Sequence, residues 1–216
     1  MDGPAEPAPD CGRCPRLVDF RTVNRQRLPE GHNAPVPAFG TAQARLLIVG
    51  LAPGLMGANR TGRPFTGDFA GDLLYPSLLA CGLAEGRYDR SPDDGLALRG
   101  ARITNAVRCV PPENKPTTAE IAACNPFLAA ELAALPRLRI VLALGLVAHK
   151  AVLRALQLKQ SHVAFRHGAL HELPNGLVLA NSYHCSRYNT NTGRLTEAMF
   201  LEVLQAVRGR LEAPPA

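Results

Sequence analysis

No run in this 216-residue chain reaches the roughly 18 to 20 consecutive apolar residues that a helix needs to cross a bilayer, so no membrane partner is expected. The chain does not open with a basic then apolar leader either: MDGPAEPAPD is acidic and proline-rich, which points to the cytoplasm. There is no internal repeat, and the 19 Gly and 19 Pro follow no collagen-like period. Walker A and GxGxxG spacings are both missing, which counts against a metabolic nucleotide-binding enzyme. What is present is a hydrophobic fraction of 46% with 19% charged residues, too apolar for a disordered chain and enough for one well-cored domain. That domain is expected over residues 11–211, between disordered tails at 1–10 and 212–216. With 24 Lys and Arg against 18 Asp and Glu, the formal charge is +6 and the pI about 9.3, which favours a polyanionic partner.

From Arg45 the chain reads as strands alternating with helices or long connections. ARLLIVGLAPG is a continuous apolar run closed by Gly and Pro, as for a strand buried on both faces of a parallel sheet. RGARITNAVRC, RLRIVLALG and GLVLANSYHCS, at residues 99–109, 137–145 and 176–186, repeat the pattern. Between them, Thr118 with Glu120 opens a helix to about Ala134, LVAHKAVLRAL forms another, and TEAMFLEVLQAVRGRL closes the chain. This grammar predicts a three-layer α/β/α sandwich on a mainly parallel, four-stranded central sheet. Ligands of such folds bind where strand C-termini meet their loops, here near Gly50, Asn105, Gly145 and His184.

Three of those loops carry chemistry. GLAPGLMGANRTGRPFTGD, residues 50–68, has five glycines and two prolines, so its backbone can approach a ligand and present N–H groups, Gly50, Ala52 and Gly54 first among them. Phe65 in its polar run can serve as a flat platform for a planar ligand or as ordinary packing. Asp68 suits either a helix N-cap or catalysis. Asn105, at a strand end, can donate and accept at once, as a base edge requires, or cap a turn. His184 ends the fourth strand and titrates near neutrality; Ser186, Arg187, Asn189, Asn191 and Arg194 follow in a loop suited to phosphates and bases. The other five histidines read as structural, with His162, His167 and His171 in a hairpin.

In a reducing compartment the six cysteines read as ligands or core residues rather than disulfides. Cys11 and Cys14 form C-x2-C, and Cys109 and Cys124 form C-x14-C after a gap of 94 residues. Such a set can hold zinc or an iron-sulfur cluster, and the spacing does not choose between them.

With these residues in view, the sequence resembles the iron-sulfur branch of the uracil-DNA glycosylase superfamily, most closely its family 5 (UDGb type). The first family motif is similar to residues 50–68, the strand-end Asn falls on Asn105, and the His-Pro-Ser motif with its Asn-Thr-x-Thr-Gly-Arg-Leu-Thr run falls on HCSRYNTNTGRLT. The four cysteines match the family's cluster positions, implying a 4Fe-4S cluster, with zinc as the alternative. Family 4 enzymes carry Gly-Glu-x-Pro-Gly in the first motif; here Leu51 stands at the Glu position, and Gly57 to Asn59 also favour family 5. The usual Pro after the motif histidine is Cys185, a change expected to loosen the loop that places His184.

The resemblance implies a monomeric, monofunctional glycosylase acting on DNA that contains uracil or other deaminated bases, hypoxanthine, xanthine or ethenocytosine. Phe65 would stack on the flipped base, Asn105 read its edge, and His184 stabilise the departing anion, assisted by backbone amides near Ala52 and Gly54 and by Asn189. With Leu51 unable to position water, Asn59, Asp68 and Asn189 are the polar candidates. Arg60, Arg63 and Lys115 would meet phosphates, as would Ser186, Arg187, Asn191 and Arg194 in the minor groove. No lysine stands where a Schiff-base lyase needs one, and the cluster would brace the N-terminal segment. The alternatives are a family 4-like enzyme and a binder that captures uracil or abasic DNA without turnover.

Overall fold

A computed structural model describes residues 5–213. In chain order it contains α1 (Pro15–Arg27), β1 (Phe39–Gly40), β2 (Leu46–Gly50), α2 (Ala58–Thr61), α3 (Phe69–Ala80), β3 (Ala84–Glu85), β4 (Ala97–Leu98), β5 (Ala101–Asn105), α4 (Thr118–Ala133), β6 (Ile140–Leu144), α5 (Leu146–Ala155), β7 (Leu170–Glu172), β8 (Val178–Ser182), α6 (Arg187–Asn191) and α7 (Glu197–Glu212). The main sheet has the order β1-β5-β2-β6-β8-β7. Its four central strands are parallel, as the apolar runs predict.

The sheet has six strands rather than four, because β1 and β7 add short antiparallel edges of two and three residues. Neither carries an apolar run, so neither leaves a signal in the sequence. Along β2, Leu46 and Ile48 enter a core under α3 and α7, while Leu47 and Val49 enter a second core under α4 and α5. Period-two side-chain alternation with both faces covered is the reason the run reads as unbroken hydrophobicity. Thr117, one residue before the expected start, caps α4 in a capping box with Glu120.

Two expectations about the ends change. Residues 1–4 and 214–216 lie outside the described residues, but the rest of the segment read as a tail is tied down. Glu6 accepts hydrogen bonds from Ala38 N at 3.0 Å and Arg108 Nη1 at 2.9 Å. Behind Glu6, the fully buried Glu131 bridges Arg102 and Arg108. At the other end α7 runs through Glu212, one residue past the expected boundary. Helix α1, absent from the sequence reading, begins with Pro15 and buries Leu17 against Val107 and Cys124.

Candidate active site

The four parallel strands deliver their C-terminal loops to one edge of the sheet, and these loops surround a cleft of about 760 Å³. Its walls come from the Leu51–Gly57 stretch, Asp68–Ala70, Leu144–Val147, Phe165, Tyr183 and the loop from His184 to Arg194. At the base of that edge, Gly50 and Asn105 stand opposite each other in parallel register. A Cβ on Gly50 would lie 2.8 Å from Phe65 Cε2 and collide with Phe65 Cζ and Asn105 Oδ1. Gly50 therefore clears the space in which these two side chains meet.

Phe65 and Asn105 are not on the open wall of the cleft; both are buried behind it. The Phe65 ring centre lies 6.0 Å from that of His184, which does line the cleft. Phe65 adopts φ of +55°, a left-handed conformation that costs a bulky residue roughly 1–3 kcal/mol. It is held there because Tyr88 Oη donates to its carbonyl at 3.4 Å and Gly71 leaves room for that same carbonyl. Asn105 is 3% exposed, and its Oδ1 has no hydrogen-bond partner among the described residues. An orphaned buried acceptor costs about 1–3 kcal/mol, so this atom is poised for a donor from a ligand.

Desolvation pulls the His184 pKa down to about 4, so its ring is neutral at pH 7. Its backbone carbonyl accepts from Asn189 Nδ2 at 2.8 Å, and Ser186 Oγ caps α6 by accepting from Asn189 N. Cys185 does not leave this loop loose: it is fully buried in the main core, and burial pushes its thiol up to about 12. Core packing anchors the position where a proline ring is usual. Asp68 caps α3, its Oδ1 accepting from Ala70 N at 3.1 Å and Gly71 N at 3.3 Å. Its Oδ2 faces Gly54 and Gly57, where any Cβ would crowd it, and desolvation raises its pKa. The carboxyl thus serves a helix end with one oxygen and borders the cleft with the other.

Ala52, Gly54, Ser186, Arg187, Asn189 and Arg194 also border the cleft. Other residues expected at the site lie elsewhere. Asn59 is buried, its Nδ2 donating to Asn33 Oδ1 at 2.8 Å, so it holds the first loop together instead of facing a water. Arg63 is buried too, paired through both guanidinium nitrogens with Asp94 at 2.8 Å and packed on Phe39, Tyr75 and Tyr88. Its charge is not offered to phosphate. Arg60 borders a separate groove with Arg27 and His32. Asn191 and Lys115 are exposed outside the cleft, Lys115 beside Glu113 at 3.7 Å. The sequence reading missed Phe69, Leu146, Val147 and Phe165 as cleft walls. Phe165, a lone aromatic in the polar stretch SHVAFRHG, was the one signal available.

The four cysteines come together from the segment leading into α1, the loop after β5 and helix α4 around one small cavity. Arg21 Nη1 points at Cys109 Sγ at 3.8 Å, and Arg108 N donates to Cys124 Sγ at 3.4 Å. Desolvation first, and neighbouring thiols after it, push Cys109 up to about 11 and raise Cys14 and Cys124. Among the described residues, no three His, Cys, Asp or Glu side chains converge tightly enough for a single metal ion. Among them, too, no helix is long and apolar enough to cross a membrane.

A profile of the uracil DNA glycosylase superfamily matches residues 37–208, which contain the sheet, the cleft and every residue placed around it above. The chain belongs to this superfamily, and the relatives it resembles narrow the assignment to the type-5 family. It is 50% identical over 203 residues to a type-5 uracil-DNA glycosylase of Thermus thermophilus, covering 92% of each chain. It is 45% identical over 200 residues to the type-5 enzyme of Pyrobaculum aerophilum, covering 91% of this chain and 87% of the other. A type-4 uracil-DNA glycosylase of the same archaeon is 34% identical over 148 residues, covering 68% and 61%.

Proposed function

We propose that this chain is a monofunctional DNA glycosylase that extrudes uracil from DNA and hydrolyses its N-glycosidic bond, opening base excision repair. The meeting of Phe65 and Asn105 at Gly50, with the His184 ring beside Phe65, carries the reading. Its type-5 relatives, named uracil-DNA glycosylases, support uracil as the base. A base taken from the stack needs a ring to lie on and groups to read its edge. Phe65 supplies the ring, and the unpartnered Asn105 Oδ1 accepts the N3–H of uracil while Nδ2 donates to O4. Because both lie behind the cleft wall, the entering base parts Phe65 from His184.

As the C1′–N1 bond breaks, its electron pair moves onto the base, and negative charge gathers on O2. A neutral His184 N–H donating to O2 stabilises that charge without the cost of burying an imidazolium. Water then adds to the sugar cation, and the proton it loses passes to solvent. Asp68 Oδ2, free of the helix cap, orients this water, with Asn189 holding the His184 loop in place. Among the described residues no lysine borders the cleft to form a Schiff base, and the proposed product is an abasic site in an unbroken strand. Arg187 and Arg194 at the cleft receive phosphates of the bent DNA. Hypoxanthine and xanthine are further deaminated bases proposed as substrates on the family resemblance.

Cys11, Cys14, Cys109 and Cys124 fit a metal group: four thiols face one cavity, and an arginine and a backbone amide are directed at their sulfurs. A four-thiolate donor set of this kind suits a 4Fe-4S cluster, with zinc as the alternative. When bound, such a cluster would tie α1 to the loop after β5 and to α4, leaving the chemistry to the cleft. The test is a labelled duplex with one uracil opposite guanine, incubated with protein, heated in alkali and run on a denaturing gel. Alkali-dependent cleavage at the uracil is expected; an intact strand refutes the reading, and a slow protein-DNA band would indicate covalent capture.

A further inference from the structure

Several arginines elsewhere in the fold are spent on carboxylates, among them Arg63 on Asp94, Arg90 on Asp72, Arg99 on Glu85, and Arg102 and Arg108 on Glu131; others, such as Arg45 and Arg139, are spent on backbone carbonyls. The two that border the cleft differ. Neither Arg187 nor Arg194 has a side-chain hydrogen bond or a carboxylate partner among the described residues, yet each rests on an aromatic ring. The Arg187 guanidinium lies 5.3 Å from the centre of Phe69, and the Arg194 guanidinium 4.7 Å from the centre of Tyr183. Both rings border the same cleft.

The rings are themselves fixed. Phe69 is the first residue of α3, immediately after its Asp68 cap. Tyr183 stacks on His167 with ring centres 4.8 Å apart and planes within 9°. His167 Nδ1 also accepts from Tyr183 N at 3.1 Å, so the partner ring is locked to the same backbone. Desolvation lowers the His167 pKa, which keeps a second positive charge from building up beside Arg194. An exposed arginine normally samples many rotamers, and ordering it on contact with DNA costs affinity. A guanidinium already resting on a ring keeps its N–H donors free around its edge for phosphate oxygens.

We propose that Phe69 and Tyr183 are positioning residues that hold Arg187 and Arg194, uncompensated, as a preset clamp on the phosphates flanking the extruded nucleotide. This rests on the DNA glycosylase reading above.

The test is a double-mutant cycle on dissociation constants, measured over a salt series with a duplex whose uridine carries a 2′-fluorine to slow cleavage. Arg194→Gln should weaken binding and reduce the slope of log Kd against log salt by about 0.9, the value for one phosphate that the protein no longer neutralises. Tyr183→Leu should weaken binding at least fivefold with the slope unchanged, because the charge remains. Tyr183→Phe, which keeps the ring, should restore wild-type affinity. The double variant Tyr183→Leu/Arg194→Gln should bind no more weakly than Arg194→Gln alone, and the Phe69→Leu/Arg187→Gln cycle should behave alike. Arg194→Lys needs no change in the core and keeps the charge with a poorer stack; it should also lose affinity at constant slope. Additive losses, an Arg194→Lys protein as tight as wild type, or a Tyr183→Phe protein as weak as Tyr183→Leu would overturn the proposal. A wild-type protein that excises no uracil but shows the same coupling would remove the glycosylase reading and leave the clamp standing.

Discussion

Replacing Gly50 with alanine adds a single methyl group at the point where the two residues proposed to hold the base meet. The new Cβ would lie 2.8 Å from Phe65 Cε2 and nearer still to Phe65 Cζ and Asn105 Oδ1. Carbon contacts are comfortable at about 3.5–4.0 Å, so both side chains must retreat by about 1 Å. Gly50 is not among the glycines with positive φ, so the substitution tests crowding and not backbone strain. Overpacking of this kind costs about 1–3 kcal/mol of stability. The loss of function should be larger. A base stacked on an aromatic is worth about 1–3 kcal/mol, and a hydrogen bond at the Watson–Crick edge about 0.5–1.5 kcal/mol. Losing most of both lowers kcat/KM by about 10-fold to 1,000-fold, at 1.36 kcal/mol per factor of ten. The assay is single-turnover excision below saturation on a uracil-guanine duplex, with thermal unfolding run in parallel. A folded Gly50→Ala protein within threefold of the wild-type rate would refute the geometry argued for the base pocket.

Further predictions concern titration, buried charge and the cysteines. His184 is lowered from 6.5 to about 4, so the neutral ring persists across the physiological range. Single-turnover rates should then lose activity only as pH falls toward 4, and a limb near 6.5 would contradict the assignment. Burial opposes ionisation of Asp94, but the Arg63 hydrogen bonds outweigh it and hold the carboxyl well below its ordinary range. A depressed folded-state value stabilises above the unfolded value of about 3.9 and is lost as pH falls through the folded one. The stability gap between wild type and Asp94→Asn should therefore be full at pH 6 and shrink below about pH 4 in urea titrations. Glu131→Ala leaves Arg102 and Arg108 without their shared buried partner and should cost about 3–5 kcal/mol in the same assay. Purified protein should be brown, with absorbance near about 400 nm that Cys109→Ala removes; a colourless, zinc-bearing protein would rule out the cluster.

The central sheet was legible because strands covered on both faces are mostly apolar: β2 and β6 are so throughout, and β5 and β8 carry polar residues only at Arg102, Thr104, Asn105, Asn181 and Ser182. The cleft followed from the position of their C-terminal loops. Edge strands β1 and β7 were not legible, since backbone pairing over two or three residues asks nothing of side chains. Helix α1 was missed for a related reason: only one apolar residue, Leu17, is fully buried on it, so its pattern is polar almost throughout. Among site residues, glycines and the strand-end Asn carried their signal in the sequence because crowding fixes their identity. Arg63 and Asn59 misled because partner choice is tertiary: Asp94 and Asn33 lie 31 and 26 residues away in sequence. Nothing near Arg63 in the chain marks its charge as already neutralised.

The most direct measurement for the account as a whole is the amount of free uracil released from a uracil-guanine duplex, quantified by mass spectrometry, by wild-type protein and by His184→Ala. The account predicts one uracil per duplex from the wild type with the DNA strand intact, and a rate from His184→Ala reduced at least a hundredfold (about 2.7 kcal/mol) while the duplex is still bound. Uracil released equally fast by His184→Ala, or none released by the wild type, would contradict it.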